Sequence, residues 1–210
     1  MPELSKTSSR GRPKKTSSQG EQTRQALLHA GVALLTEKGF INSGIEPILK
    51  IVGVPKGSFY HYFASKEAFG LHVLDSYQEY FENKLDHFLL NESLSCVDRL
   101  RAFAQDASQG MAKYNYQRGC LVGNLEQEST QLSAAFNLKI QACYQSWQDR
   151  LANCLLTGQS RGEWQLQQEA QSLAQIFWLG WEGAVHRARL LVSSQPLESF
   201  MDFFINSLRD

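Results

Sequence analysis

Apolar residues recur at intervals of three and four along most of the chain, the spacing that places them on one side of an α-helix. No stretch alternates apolar and polar residues as a half-buried strand does. Six segments with the helical spacing are predicted at residues 21–38, 66–89, 96–113, 133–159, 169–192 and 196–208. With the shorter segments between them, the pattern predicts an all-α fold of about nine helices.

Two short helices joined by a tight turn are predicted between the first two of these segments. Residues 45–52 carry apolar side chains at steps of three, four and seven. Gly53 suits the left-handed conformation that ends a helix, and Pro55 suits the first turn of the next one.

The second short helix divides its chemistry between two sides. Val54, Phe59 and Phe63 are predicted to face inward. The other side carries a cation, a hydroxyl, an imidazole and phenols, which belong to Lys56, Ser58, Tyr60, His61 and Tyr62. Such groups match the base edges and phosphates of the DNA major groove, so the segment is predicted to be a helix-turn-helix.

Residues 53–67 read GVPKGSFYHYFASKE, which resembles the signature of TetR-family transcriptional repressors. The resemblance covers the first third of the chain and implies a three-helix DNA-binding domain at residues 21–66. An ordinary helical hairpin with aromatic core residues would not explain the polar groups of this segment together. Gly44 and Pro47 depart from the family pattern at the start of the second helix and leave Ser43 as its phosphate-capping group. The implied DNA-binding residues are Ser43, Lys56, Gly57, Ser58, Tyr60, His61, Tyr62 and Lys66.

Charge is distributed unevenly, although the formal net charge is zero. Residues 1–66 contain ten Lys and Arg against four Asp and Glu, whereas residues 67–210 contain eleven against seventeen. A basic DNA-binding part attached to an acidic regulatory part has this distribution.

Residues 1–20 lack periodicity and are predicted to be a disordered basic arm. Arg10 and Arg12 lie in an RGRP run that is similar to an AT-hook, which inserts arginines into a narrow minor groove. A solvated tail that attracts phosphates without sequence preference is an equal alternative.

Other features exclude several classes of protein. No apolar run approaches the ~18 residues that span a bilayer, and the N-terminus is unlike a secretory signal. The four cysteines show no metal-ligand spacing, so neither a metal nor a cofactor is predicted. We expect reduced thiols in a protein that acts in the bacterial cytoplasm, associated with the nucleoid.

Residues 67–210 are predicted to sense a ligand and to dimerise. The resemblance implies a homodimer built from the last two helices of each chain, which would read a palindromic operator in double-stranded DNA. Small residues that would let another helix approach closely are Gly180, Gly183, Ala184 and Ala188. Packing within one chain is the alternative.

Residues 119–125, GCLVGNL, and residues 180–184, GWEGA, resemble the acrylate-responsive AcuR-like and the electrophile-responsive NemR-like branch of the family. Cys120 at the start of a helix, with Arg118 beside it, is predicted to have a lowered pKa and to react with activated alkenes. A buried apolar thiol without a sensing role is the alternative.

A ligand pocket is predicted around this cysteine. Its aromatic and polar members would be Tyr77, Asn124, Gln127, Tyr144, Trp147, Trp178, Trp181, Glu182 and His186. Three alternatives to a covalent sensor stay open. They are a repressor with a non-covalent carboxylate ligand held by Arg118 or Arg187, a constitutive DNA-binding dimer, and an enzyme that uses Cys120 with His186 and Glu182.

Overall fold

The computed structural model describes residues 17–208, and within that range the fold is entirely helical, with no strand. The nine helices are α1 (Ser17–Lys38), α2 (Glu46–Val52), α3 (Lys56–Phe59), α4 (Lys66–Leu89), α5 (Cys96–Lys113), α6 (Leu121–Gln127), α7 (Ala134–Ser160), α8 (Ala170–Leu191) and α9 (Gln195–Ser207). The predicted fold class and number of helices are confirmed. We call residues 17–66 the head and residues 67–208 the body.

Most helix ends lie within two residues of the predicted ones, and α4 and α5 match at both ends. α1 begins at Ser17, so the prediction that residues 17–20 belong to a disordered arm is wrong. Its first turn reads SSQG and has no apolar side, which hides it from a search for hydrophobic periodicity. Arg10 and Arg12 lie outside the described residues.

The head is organised around the turn between α2 and α3. Gly53 has φ +71 and ends α2 in the left-handed conformation, as predicted. Pro55 lies one residue before α3 and extends the chain into it. Phe59 and Phe63 are buried and pack against Phe69 at the start of α4, with ring centroids 5.3 and 4.9 Å away. The inward-facing positions therefore anchor α3 to the helix that leads into the body.

An aromatic core holds the body together. Phe81 of α4 lies 4.4 Å from Trp147 of α7, and Trp147 lies 5.0 Å from Trp178 of α8, measured between ring centroids. Phe103 of α5 lies 5.0 Å from Trp181 on α8. These contacts fix the four helices around a common centre. No helix among residues 17–208 is both long enough and apolar enough to cross a membrane.

The small residues of α8 serve packing within the chain. A Cβ atom at Gly180 would lie 2.2 Å from the Phe200 ring of α9, so this glycine makes room for α9. Ala184 and Ala188 are buried in the core of the same chain. The expectation that these three admit a partner helix is wrong, and only Gly183 faces open space.

An apolar stripe of α8 nevertheless remains uncovered. Ile176, Leu179 and Leu190 follow one another at helical spacing around Gly183, and Leu179 is 75% exposed. Phe203 on the neighbouring α9 is 69% exposed. The stripe lies on the side of α8 that faces away from the aromatic core.

Candidate functional site

The exposed face of the turn–α3 segment carries the polar groups that the sequence predicts for DNA contact. Lys56, Gly57, Tyr60 and His61 are exposed, and Ser58 and Tyr62 are partly exposed. The Lys56 ammonium pairs with the Glu46 carboxylate at 3.0 Å, and both side chains are more than half exposed. A solvent-exposed pair of this kind is weak, so Lys56 can exchange Glu46 for a phosphate or a base edge.

Ser43 is not part of this face, so its prediction as a phosphate cap is wrong. Its side chain is 4% exposed, and its hydroxyl donates a hydrogen bond to the main-chain oxygen of Gly39. The residue that precedes α2 is Ile45, which makes no side-chain cap. Ser43 therefore closes the loop after α1 instead of meeting DNA.

Lys66 is also turned away from the predicted DNA contact. Its ammonium donates to the main-chain oxygens of Phe40 at 2.8 Å and Ile41 at 3.4 Å, and it lies 4.5 Å from the centre of the Phe40 ring. Partial burial lowers the pKa of Lys66, and the nearby Glu128 carboxylate opposes that shift. The structure thus contradicts a phosphate contact and assigns Lys66 to the α1–α2 loop.

A cavity of about 570 Å³ lies where α1 of the head meets α4, α5, α6 and α8 of the body. Five of the residues predicted for the ligand site line it, and they are Tyr77, Arg118, Cys120, Trp181 and Glu182. Wall residues that the sequence interpretation missed include Gln25, His29, Tyr80, Phe81, Lys84, Phe103, Met111 and Tyr114. Tyr80 and Phe81 follow Tyr77 at steps of three and four, a spacing that was available as a signal.

Cys120 lies in the cavity wall immediately before α6 and is 9% exposed. Its sulfur accepts a hydrogen bond from the main-chain nitrogen of Gly123 at 3.5 Å, so the thiol caps α6. The Tyr77 hydroxyl donates to the same sulfur at 3.7 Å. These two donors hold the sulfur at the junction of α4 and α6.

The predicted lowering of the Cys120 pKa is wrong. Burial, together with the negative charge of Glu182, raises the pKa of the thiol well above its ordinary value. The Gly123 and Tyr77 hydrogen bonds favour the thiolate but do not outweigh burial. Arg118 stacks over the Tyr114 ring at 3.9 Å, and it is not among the groups that shift the pKa of Cys120.

Glu182 is a buried carboxylate beside that thiol. It is 7% exposed, and neither of its oxygens has a hydrogen-bond partner of normal geometry among the described residues. Burial raises the pKa of Glu182 to about 7, and a hydrogen-bonding contribution from Cys120 opposes the rise. A Cβ atom at position 123 would lie 2.1 Å from one carboxylate oxygen, so only glycine leaves room for it.

Three predicted polar anchors do not line the cavity. The Asn124 amide donates to the main-chain oxygens of Leu35 at 3.1 Å and Thr36 at 2.9 Å, and so caps the end of α1. The Nδ1 atom of His186 bonds to the main-chain oxygen of Glu182 at 2.8 Å, and because that oxygen only accepts, Nδ1 carries the proton. Its Nε2 atom therefore accepts from the Gln127 amide.

Three predicted aromatic members are also absent from the wall. Trp147 and Trp178 lie in the aromatic core, where they are almost fully buried. The Tyr144 hydroxyl donates to Glu126 at 2.7 Å outside the cavity. Helical spacing marks these residues as buried in a bundle, but it does not distinguish a packed core from a cavity wall.

α6 connects the cavity to the head by hydrogen bonds at both of its ends. Before its first turn, the Gly119 nitrogen donates to the Thr36 oxygen at 3.1 Å. Beyond its last turn, the Glu128 carboxylate accepts from the main-chain nitrogens of Phe40 at 2.8 Å and Ile41 at 3.2 Å. Sequence analysis missed Glu128, because no local pattern reveals a contact across nearly ninety residues.

Arg189 of α8 is a second residue that sequence analysis missed. Its guanidinium donates to the Asn124 side chain at 3.0 Å and to the main-chain oxygens of Glu37 at 2.9 Å and Gln117 at 3.0 Å. The end of α1 is therefore held by α6 and α8 together.

A helix-turn-helix head joined to a helical body with a largely apolar cavity defines a ligand-responsive DNA-binding regulator. Two family descriptions match the chain: "Bacterial regulatory proteins, tetR family" at residues 27–73 and "Tetracyclin repressor-like, C-terminal domain" at residues 96–204. The chain belongs to the TetR family of transcriptional regulators, whose members bind operator DNA, act as dimers and respond to small molecules. It belongs to a class of regulators, and not of enzymes.

Relatives confirm the resemblance to the AcuR-like and NemR-like branch. The chain is 43% identical to the transcriptional regulator AcuR of Cereibacter sphaeroides over 195 residues, which cover 93% of this chain and 89% of that protein. It is 31% identical to the transcriptional repressor NemR of Escherichia coli over 177 residues, 84% of this chain and 89% of NemR.

Two crystal structures share the fold. A regulatory protein TetR from Rhodobacter sphaeroides superposes with a TM-score of 0.85 at 43% identity, over 88% of this chain and 97% of that one. The reduced form of E. coli NemR superposes with a TM-score of 0.78 at 30% identity, over 88% of this chain and 96% of NemR.

Proposed function

We propose that the protein represses transcription by binding a palindromic DNA operator as a homodimer in the bacterial cytoplasm, and that a small electrophile of the acrylate type releases it by adding to Cys120. The observation that carries the proposal is the position of this thiol. Cys120 lies in the wall of a cavity formed by both head and body, and its sulfur also caps α6.

A covalent adduct at this sulfur changes the start of α6. The Gly123 hydrogen bond holds the sulfur against the helix, whereas an added carbon chain must extend into the cavity. The sulfur then moves or turns, and the first turn of α6 loses its cap. Release of DNA requires that the adduct favour a different orientation of the head, because a ligand shifts an equilibrium only by preferring one state.

The route from the sulfur to the DNA runs along α6. Its start carries Cys120, and its far end carries Glu128, which holds the main chain at Phe40 and Ile41. That loop leads directly into α2 of the head. A shift of α6 therefore reaches the helix-turn-helix through hydrogen bonds, without passing through the aromatic core.

The dimer uses the exposed stripe of α8. Ile176, Leu179 and Leu190, with Phe203 on α9, leave an apolar surface that water contacts in a single chain. A second copy related by a two-fold axis covers this surface and places two α3 segments toward successive major grooves, about 34–36 Å apart.

A reversible carboxylate ligand is the second candidate for the effector. Arg118 and Lys84 both line the cavity, and each carries a positive charge. Lys84 already pairs with Asp106 at 2.6 Å, which leaves Arg118 as the better anchor. Arg187 does not line the cavity, so its role as an anchor is withdrawn.

Operator binding with and without electrophile tests the proposal. The full-length protein is mixed with DNA from upstream of its own gene, and sodium acrylate or N-ethylmaleimide is added. Cys120→Ser is compared with wild type, and Cys143→Ala, which removes a buried thiol away from the cavity, is the matched control.

We expect both compounds to release wild type and Cys143→Ala from DNA, while Cys120→Ser stays bound. Release of Cys120→Ser as well would replace covalent sensing by a reversible ligand. Retention of every variant under both compounds would overturn the proposed class of effector but leave the repressor assignment intact.

A further inference from the structure

We propose that Glu182 is the proton acceptor for the Cys120 thiol when an activated alkene adds to it. The inference rests on the proposed function, because it concerns the chemistry of the same thiol. It starts from an unusual placement: a buried carboxylate without a hydrogen-bond partner lies beside a thiol in the wall of one cavity.

A buried carboxylate without a partner destabilises the fold, because its charge loses the water that solvated it. Cations are present nearby, but they are engaged elsewhere. Arg189 bonds to Asn124 and to main-chain oxygens, and Lys84 pairs with Asp106. Gly123 meanwhile leaves space for the Glu182 oxygens where any side chain would clash. This arrangement maintains a free carboxylate next to the sulfur.

The thiol needs such an acceptor. Its pKa is raised by burial, so very little thiolate is present near neutral pH. The thiolate is the nucleophile in addition to alkenes, and a neutral buried thiol is inert. Transfer of the proton to Glu182 generates the thiolate at the moment of reaction, without moving the charge into solvent.

Two donors are already directed at the sulfur that becomes negative. The Tyr77 hydroxyl and the Gly123 nitrogen both bond to it, at 3.7 and 3.5 Å. Burial raises the pKa of Tyr77 well above its ordinary value, so this hydroxyl keeps its proton and stays a donor.

The reaction balances without an oxidant or a reductant. The proton of the Cys120 thiol passes to a Glu182 oxygen, and the sulfur lone pair forms a bond to the β-carbon of the alkene. The π electrons of the double bond move toward the activating carbonyl group. Glu182 then returns its proton to the α-carbon, so that S–H has added across the double bond.

Other charged and titratable groups around Glu182 do not replace it. Tyr77 of α4 and Cys120 face it across the cavity wall, and Tyr144 of α7 and Glu126 of α6 influence it electrostatically. His186 on the same helix bonds to the Glu182 main-chain oxygen and to Gln127, so neither ring nitrogen is directed at the sulfur.

The test is the rate at which acrylamide, a neutral activated alkene, alkylates Cys120 in the full-length protein. Intact mass and peptide mapping follow the modification of each cysteine from pH 5.5 to 8.5. Glu182→Gln keeps the shape of the side chain and removes the proton acceptor. Glu126→Gln removes a neighbouring negative charge outside the cavity and is the matched control.

At pH 7.5 we expect Glu182→Gln to be alkylated at Cys120 about 10- to 100-fold more slowly than wild type, within the range of a general base. Glu126→Gln should react as wild type does. The wild-type rate should rise to a plateau above pH 7, where Glu182 is ionised. The Glu182→Gln rate should instead rise about tenfold per pH unit with no plateau.

The opposite result has a clear meaning. If Glu182 acts only as a negative charge that suppresses the thiolate, then Glu182→Gln reacts faster than wild type, and the inference is overturned while covalent sensing stands. A wild-type rate that keeps rising through pH 8.5 overturns it as well, even if the variant fails to fold. Absence of any alkylation at Cys120 in wild type refutes the proposed function itself.

Discussion

The Glu128 carboxylate accepts a hydrogen bond from the main-chain nitrogen of Phe40 at 2.8 Å. Glu128 follows the last residue of α6, and Phe40 lies in the loop between α1 and α2. Lys66 holds the same loop from its other side through the Phe40 oxygen. The loop is therefore fixed between a residue of the body and the first residue of α4.

Replacing Glu128 by Gln should weaken the link between the cavity and the head. The amide has one accepting oxygen where the carboxylate has two, and hydrogen bonds to charged groups contribute about 1.5–3 kcal/mol. We expect the operator Kd of unmodified protein to rise about tenfold, or about 1.4 kcal/mol. We also expect the ratio of the operator Kd values after and before alkylation of Cys120 to fall.

Fluorescence anisotropy with labelled operator measures both quantities. Gly39→Ala tests the same contact from the head, since its Cβ atom would lie within van der Waals distance of the Glu128 carboxylate and its φ of +76 disfavours any side chain. Glu126→Gln, on the same helix but bonded only to Tyr144, is the control. Unchanged affinity and unchanged coupling in both test variants would exclude α6 as the route.

Lys56→Ala and Lys66→Met should affect DNA binding in different ways. Lys56 is exposed on the face of α3, so its loss should change sequence preference, and it should lower the slope of log K against log salt by about 0.9 for each phosphate lost. Lys66 holds a loop, so its loss should lower the free energy of unfolding by about 1–3 kcal/mol and leave the salt slope unchanged.

Salt titrations of operator binding, together with urea unfolding, separate the two effects. An altered salt slope in Lys66→Met with normal stability would mean that this ammonium leaves the loop to reach DNA. A Lys56→Ala footprint and salt slope identical to those of wild type would show that α3 is not the recognition element.

Leu179→Glu should convert the dimer to a monomer. A two-fold axis brings the α8 stripes of both chains together, so the substitution places two carboxylates in an apolar interface. Sedimentation velocity at micromolar protein should show half the dimer mass and weak operator binding. Leu138→Glu on α7, where the leucine is also 67% exposed, should remain dimeric. A dimeric Leu179→Glu would place the interface elsewhere.

Glu182→Gln should make the protein more stable, and the gain should grow as pH rises from about 4.5 to 7. The pKa of Glu182 is raised to about 7 in the folded chain, so folding favours its protonated form. Stability from this group is therefore complete below the ordinary glutamate pKa, and it is lost as pH rises through 7. At pH 8 the gain should be on the order of 1–3 kcal/mol.

Urea unfolding of wild type and variant at pH 5 and pH 8, at one protein concentration, checks this difference. Glu126→Gln serves again as the control, because its side chain bonds to Tyr144 outside the cavity. A variant that is equally destabilised at both pH values would mean that Glu182 is stabilised by contacts that the structure does not contain.

The helices were predictable because their signals are local. Gly53 ends α2 and Ser65 caps α4 through the Ala68 nitrogen, and both are identified by residue type and position alone. The outward face of α3 followed from the same reasoning, since alternate burial of Val54, Phe59 and Phe63 leaves the polar residues exposed.

The site was only partly predictable, because its properties depend on distant parts of the chain. Cys120 was identified, but the direction of its pKa shift was not, since burial and Glu182 on α8 outweigh the local helix. Asn124 was assigned to a ligand because it follows the cysteine closely, whereas its amide caps α1. A polar residue near a site in sequence does not reveal which helix it faces.

The wall of the cavity contains a row of residues from α1, namely Gln25, His29, Val32, Ala33 and Thr36. The volume of the cavity and the tilt of the head are thus a single mechanical variable, since one changes only if the other does. An occupant acts as a wedge whose thickness sets the angle. Molecules of increasing bulk should accordingly produce graded levels of gene expression at saturation, so that the size of the inducer, and not only its affinity, determines the response.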